Sequence, residues 1–140
     1  MTDNSDCYLI STQDNVLAVR LCNSWDLATT QRFCLETNQS ISLVLPEKWG
    51  LIADASHWCL KTEPACELIF DHHKACIRMG LTHQAIILPR SALKRWRIKA
   101  FVSSDYSIKT FLAENERDAI HWLHRKGFNF PGFSNDLRVI

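Results

Sequence analysis

The chain has 140 residues, 46% of them hydrophobic and 22% charged, which suits one globular domain with a sizeable core and excludes a disordered polypeptide. Sixteen Lys and Arg against fifteen Asp and Glu leave a formal charge of +1, so no global field draws the protein to nucleic acid or an anionic membrane. The longest apolar runs, such as Ala85–Leu88, are too short for a membrane span, and the acidic opening MTDNSDC lacks the basic start of an export signal, so a cytoplasmic protein is expected.

Residues 1–6 form a polar leader. Tyr8-Leu9-Ile10 begins a strand, Gln13-Asp14-Asn15 makes a turn, and Val16–Leu21 (VLAVRL) completes a hairpin. Ser24 or Asp26 can cap a helix starting near Leu27. Its inward stripe runs through Thr30, Phe33, Cys34, Thr37, Ile41 and Leu45 until Pro46 closes it. Trp49–Ala53 is continuously apolar, as a buried central strand would be, and Asp54 ends it before a loop carrying Ser56, His57 and Cys59.

Thr62 caps the next helix, Glu63 complements its dipole and Pro64 is tolerated in its first turn. Cys66, Ile69, Phe70, His73, Cys76 and Ile77 face inward, and Gly80 ends the segment. Gln84–Leu88 is a further buried strand. A helix over about 91–100 follows, with Leu93, Trp96 and Ala100 as its buried stripe, then a strand over 106–112. In the last helix Asn115 pairs with Asp118 as a capping box, and Gly127 supplies the left-handed stop. The order β-β-α-β-α-β-α-β-α predicts an α/β sandwich: a mixed, mostly parallel sheet with helices packed against it and an antiparallel hairpin at one end. One domain over 7–128 is expected, with 129–140 as a C-terminal tail.

In open α/β sheets ligands gather beyond the carboxyl ends of strands, which singles out Asp54, with Asn23 and Asp26 nearby and Ser56 and His57 beside it. The competing reading is that Asp54 accepts hydrogen bonds from loop amides. Cys66, His72, His73 and Cys76 invite a metal reading by their helical spacing. No C-x-x-C pair completes it, and His73 and Cys76 lie in the core stripe, so they are assigned to packing and no metal is expected. The six Cys lie in apolar periodic segments and read as buried thiols of a reducing compartment. G-x-S-x-G, a glycine-rich phosphate loop and H-E-x-x-H are all missing, so no catalytic residue and no cofactor is assigned and a non-enzyme is expected.

PRSALKRWRIKAF carries Arg90, Lys94, Arg95, Arg97 and Lys99 without an acid. This is either a solvated helix face or a docking surface for an acidic protein partner or a phosphate-bearing ligand, with Arg95 and Arg97 as contacts. Nucleic acid is not expected, since no groove-entering motif accompanies the charges. Phe128, Phe130 and Phe133 in the tail should fold back over the domain or reach a second copy in a homodimer.

WGLIADASHW at 49–58 resembles the "W-a-L-L-x-D-x-x-x-W" segment of SpoIIAA-like proteins, a bacterial branch of the sulfate-transporter and anti-sigma-antagonist (STAS) fold. GLTHQAIILPRSAL at 80–93 resembles their "G-L-x-x-x-A-x-V" strand, FLAENERDAIHWLHRKGF at 111–128 their closing strand and helix, and NSWDLATTQRF at 23–33 is similar to their first strand-to-helix turn. The resemblance implies a STAS-like regulatory or protein-interaction domain. In anti-sigma antagonists of this fold an Asp-Ser pair opens the second helix, and a partner kinase phosphorylates the Ser. Those positions fall here near Thr62 and Glu63, so the switch is expected to be absent, with Glu63 as a fixed charge and Thr62 or Ser56 as the remaining hydroxyls. The grouping of this branch with lipid-binding SEC14-type domains implies, as the alternative, a site for a small apolar ligand.

Overall fold

The computed structural model describes residues 7–43, 48–102 and 107–133. Its elements are β1 (Tyr8–Gln13), β2 (Val16–Trp25), α1 (Leu27–Ile41), β3 (Trp49–Leu60), α2 (Glu63–Arg78), β4 (Leu81–Ile87), α3 (Ala92–Val102), β5 (Lys109–Ala113) and α4 (Glu116–Arg125). The five strands lie side by side in chain order. β1 is antiparallel to β2, turned by Asp14 in the left-handed region that a short acid tolerates, and the remaining pairs are parallel. This is the expected α/β architecture.

Each face of the sheet has its own core. Leu17, Val19 and Leu21 of β2 alternate with Val16 and Ala18, so one strand feeds both. The first core joins β2, β3 and β4 to Phe33 and Ile41 of α1, Ile69 and Cys76 of α2, and Ile98 and Val102 of α3. The second sets small residues, Ala18, Ala85 and Ala113, against Ala119 and Leu123 of α4 and against Phe128 and Phe130. Smallness is needed there, because a Cβ on Gly50 would meet the Phe128 ring at 3.0 Å. Both Phe residues are buried and Phe133 packs edge-on to Phe130. The apolar tail is thus consumed within the domain as far as Phe133, which removes the ground for expecting it to reach a second copy.

The helix ends follow local chemistry. Asp26, rather than Ser24, caps α1 by accepting from the Thr29 amide at 2.9 Å. Thr62 caps α2 through the Ala65 amide, and Asn115 caps α4 through the Asp118 amide. The expected closure of the first helix at Leu45 and Pro46 and the start of the last strand at Tyr106 lie outside the described residues.

Two expectations are corrected. β3 does not end at Ala53: it runs on to Leu60, because β2 also continues and pairs Cys22 with His57 through to Trp25 with Leu60. Ser56, His57 and Cys59 are therefore strand residues. The register slips once between Arg20 and Cys22, a bulge that disguises the alternation. In α3, Leu93 and Trp96 are not buried but 70% and 67% exposed, and Ala100 is exposed too. Ile98 and Val102, one turn apart, enter the core instead, and that choice turns the Leu93–Trp96 stripe outward.

Candidate functional site

β4 stops at Ile87, opposite Asp54, while β2 and β3 continue beyond it. The step leaves a polar cleft of about 820 Å³ at the carboxyl end of the sheet. Asp54, Ser56 and His57 form one wall, Arg90, Ser91 and Lys94 another, and Glu114 to Glu116 a third.

Inside it Asp54 is fully engaged. One carboxylate oxygen accepts from the Ser56 hydroxyl at 2.6 Å and the Ser56 amide at 3.1 Å, and the other accepts from Arg20 Nε at 3.2 Å. Arg20 also donates to Glu116 at 2.7 Å and lies 4.5 Å over the Phe133 ring, tying β2, β3, α4 and the tail together. Ser56 Oγ lies 3.0 Å from His57 Nδ1. The serine proton goes to Asp54, so the hydroxyl accepts from the imidazole. This places the hydroxyl between acid and imidazole, whereas nucleophilic catalysis needs the imidazole between acid and hydroxyl. The group is a cross-strand bracket.

Arg95 was expected as a docking cation, yet its donors are used. Nε donates to the Pro89 carbonyl at 2.6 Å and both terminal nitrogens grip Glu114, one of them at 2.9 Å. The guanidinium holds the Glu114 carboxyl below the usual range. Arg95 thereby fastens α3 to the turn after β5.

The second feature is a groove of about 280 Å³ between α2 and α3. Trp58, Leu60, Phe70, Trp96 and Ile98 give it apolar walls, with Glu63 and Arg97 at the rim. Arg97 reaches Glu63 at 3.4 Å and Cys66 Sγ at 3.6 Å. Burial raises the Cys66 thiol and Arg97 pulls it back only in part. The Trp58 indole N–H is buried and finds no acceptor among the described residues. Trp58, Ile69 and Ile98 also bound a chamber of about 80 Å³ beneath α1 and α2.

His72 reaches further in than the helix edge expected for it. Thr37 Oγ1 donates to the Phe33 carbonyl at 2.8 Å and so accepts from His72 Nε2 at 2.9 Å. Burial lowers the His72 pKa to about 4, keeping the ring neutral. His73 donates to Gln84 Oε1 at 2.7 Å, and Gln84 passes the chain on to Thr110 at 2.8 Å. Of the four residues with metal-like spacing, His72 and Cys76 meet, Nε2 to Sγ at 3.7 Å, while Cys66 sits beside Arg97 and His73 is committed to Gln84.

Of the residues singled out in the sequence, Asp54, Ser56, His57 and Arg95 meet at the cleft, while Glu63 and Arg97 meet at the groove, with Thr62 capping the helix below. Asn23 and Asp26 do not line the cleft, and Asp26 is spent as the α1 cap. Arg20 and Glu116 were missed. The available signal was a lone cation inside the apolar run VLAVRL, which demands a buried partner.

An antiparallel edge hairpin, a parallel sheet in chain order and helices on both faces make this a STAS/SpoIIAA-like domain fold. Solved structures share it. One is a protein of the DUF3478 family with a SpoIIAA-like fold from Shewanella loihica, with 16% identity over 88% of this chain and 98% of that chain and a TM-score of 0.63. An anti-sigma factor antagonist from Mycobacterium paratuberculosis gives 12% identity over 89% and 99%, with a TM-score of 0.56. Bacillus SpoIIAA in its phosphorylated form gives 10% over 84% and 99%, with a TM-score of 0.57. No family model and no curated protein matches the sequence.

Proposed function

We propose that this chain is a non-catalytic, cytoplasmic STAS-like regulatory domain that docks an acidic protein partner on α2 and α3. The observation that carries the reading is α3 itself: Leu93 and Trp96 stand 70% and 67% exposed on a helix without a single acid, beside an apolar groove. An exposed Trp flanked by Arg is the composition of interface anchors. Arg97 at the groove rim and the exposed Lys99 complement a partner helix that pairs acids with one or two apolar anchors. Fold neighbours that are anti-sigma factor antagonists support a protein partner.

The domain works without the serine switch. Thr62 uses its hydroxyl to cap α2, and Glu63 keeps a permanent negative charge on the first turn. The test is affinity capture with the intact chain, its Trp96→Asp variant, and an Arg125→Glu control on α4. Loss of one salt-sensitive partner with Trp96→Asp alone supports the reading, whereas equal recovery by all three refutes it.

A second reading, a module for a small apolar ligand, is favoured by the Trp58 indole N–H between groove and chamber, which meets no acceptor among the described residues. At about 80 Å³ the chamber is smaller than the ~150 Å³ cavity known to admit benzene, so most of such a ligand would lie in the groove. Native mass spectrometry of the purified chain decides it: an added mass lost on Trp58→Phe substitution supports the ligand, and a bare mass counts against it.

A further inference from the structure

The register of the edge hairpin, continued one step beyond Tyr8 and Leu21, sets Cys7 directly opposite Cys22. The backbone confirms the step, because the Cys22 amide donates to the Cys7 carbonyl at 2.8 Å. Residues exchanging such a bond across antiparallel strands have Cα atoms about 5.5 Å apart, inside the span that a disulfide bridges. Both residues are thiols here. The Cys22 thiol is raised by burial first and then by Asp54, with Arg20 opposing and Cys7 adding a smaller rise. Cys34 with Cys76 and Cys59 with Cys66 also influence one another, but each pair involves a helix, so neither faces across two paired strands as Cys7 and Cys22 do. Cys34 and Cys76 are both buried on facing helices, and Cys66 is held by Arg97. Cys7 is half-buried just ahead of β1 and is the more open of the two, while Cys22 is buried.

We propose that Cys7 and Cys22 form a reversible redox clamp that closes the edge strand β1 onto β2. With oxidised glutathione as the oxidant, the Cys7 thiolate attacks one glutathione sulfur, forming a mixed disulfide and releasing one reduced glutathione. The Cys22 thiolate then attacks the Cys7 sulfur and expels the second glutathione. The two protons given up by the thiols end on the two glutathiones, and the two electrons reduce the glutathione disulfide. The bond closes the hairpin loop and removes freedom chiefly from the unfolded chain.

The clamp is tested by incubating the folded chain with oxidised glutathione and measuring intact mass, then mapping peptides after alkylation. The expected product is lighter by about 2 Da, carries a Cys7–Cys22 peptide, unfolds roughly 5 °C or more higher, and returns to the starting mass with dithiothreitol. Cys7→Ser should remove the mass loss. Cys22→Ala, the riskier change in a buried site, should trap glutathione on Cys7. Circular dichroism of each variant shows that it has folded. An unchanged mass, a stable glutathione adduct on the unaltered chain, or a bond joining any other cysteines overturns the proposal.

Discussion

Replacing Arg20 by Met is the sharpest probe of how this domain is held together. The side chain keeps an aliphatic stem and loses its charge, and with it the guanidinium that lies over Phe133. Arg20 and Asp54 are 16% and 14% exposed and 3.2 Å apart, so at an effective dielectric of about 20 their attraction is about 5 kcal/mol before desolvation. Desolvation offsets much of this when the pair forms, but deletion of one partner leaves the other buried and uncompensated. Ser56 still donates to Asp54, which softens the loss. The expected cost of Arg20→Met is about 2–4 kcal/mol. Glu116 is the contrasting partner: it contacts Arg20 at 2.7 Å but is 43% exposed, so Glu116→Gln should cost under about 1 kcal/mol. Urea denaturation of the two variants, with Asp54→Asn and the Arg20→Met/Asp54→Asn double variant, gives both costs and the coupling, expected at about 1–2 kcal/mol. Equal small costs for Arg20→Met and Glu116→Gln, with no coupling to Asp54, would refute the reasoning.

His72 makes stability pH-dependent. Its folded pKa, about 4, lies below its ordinary 6.5, so the unfolded chain binds the proton first on acidification. The contribution is fully present above that ordinary value and falls by about 1.4 kcal/mol per pH unit towards the folded value. His72→Gln should flatten this part of the pH profile in chemical denaturation, and an unaltered slope would show that the ring does not carry it. Gly50→Ala should cost about 1–3 kcal/mol, since its Cβ would stand 3.0 Å from the Phe128 ring, and Phe128→Leu in the same chain should restore part of the thermal midpoint. Phe130, with no exposure, should cost about 3–5 kcal/mol as Ala, measurable by calorimetry; a loss below about 1 kcal/mol would detach the tail from the core.

The parts of this fold readable in the sequence are those fixed by neighbours in the chain. Asp26, Thr62, Asn115 and Gly127 mark helix ends because a cap needs only the next few amides or a left-handed backbone, both local requirements. The α2 core stripe was legible for the same reason. The extension of β3 was not, because Asp54, Ser56 and His57 look like a loop unless β2 is known to continue alongside and absorb the bulge. The phase of α3 was misread because Leu93–Trp96–Ala100 and Ile98–Val102 are equally good helical stripes. What selects between them is distant: Ile98 and Val102 meet the first core, and Arg95 finds Glu114 on another turn. At the cleft, Asp54, Ser56 and His57 stood out by being polar after an apolar strand. Arg20 and Glu116 join them only through folding, 96 residues apart from each other.

The role of Phe128 and Phe130 bears on how the protein is made. Ribosomes deliver the amino-terminal strands first, and Val16, Ala18, Ile52 and Ala85 must wait for α4 and these two rings before their side of the sheet is sheltered. During that interval the nascent chain carries a finished set of strands with one oily side bare to water, the kind of intermediate that invites chaperones or aggregation. A stop codon falling before Phe128 would thus do more than trim an end: it would leave that side of the sheet without two of the rings that shelter it.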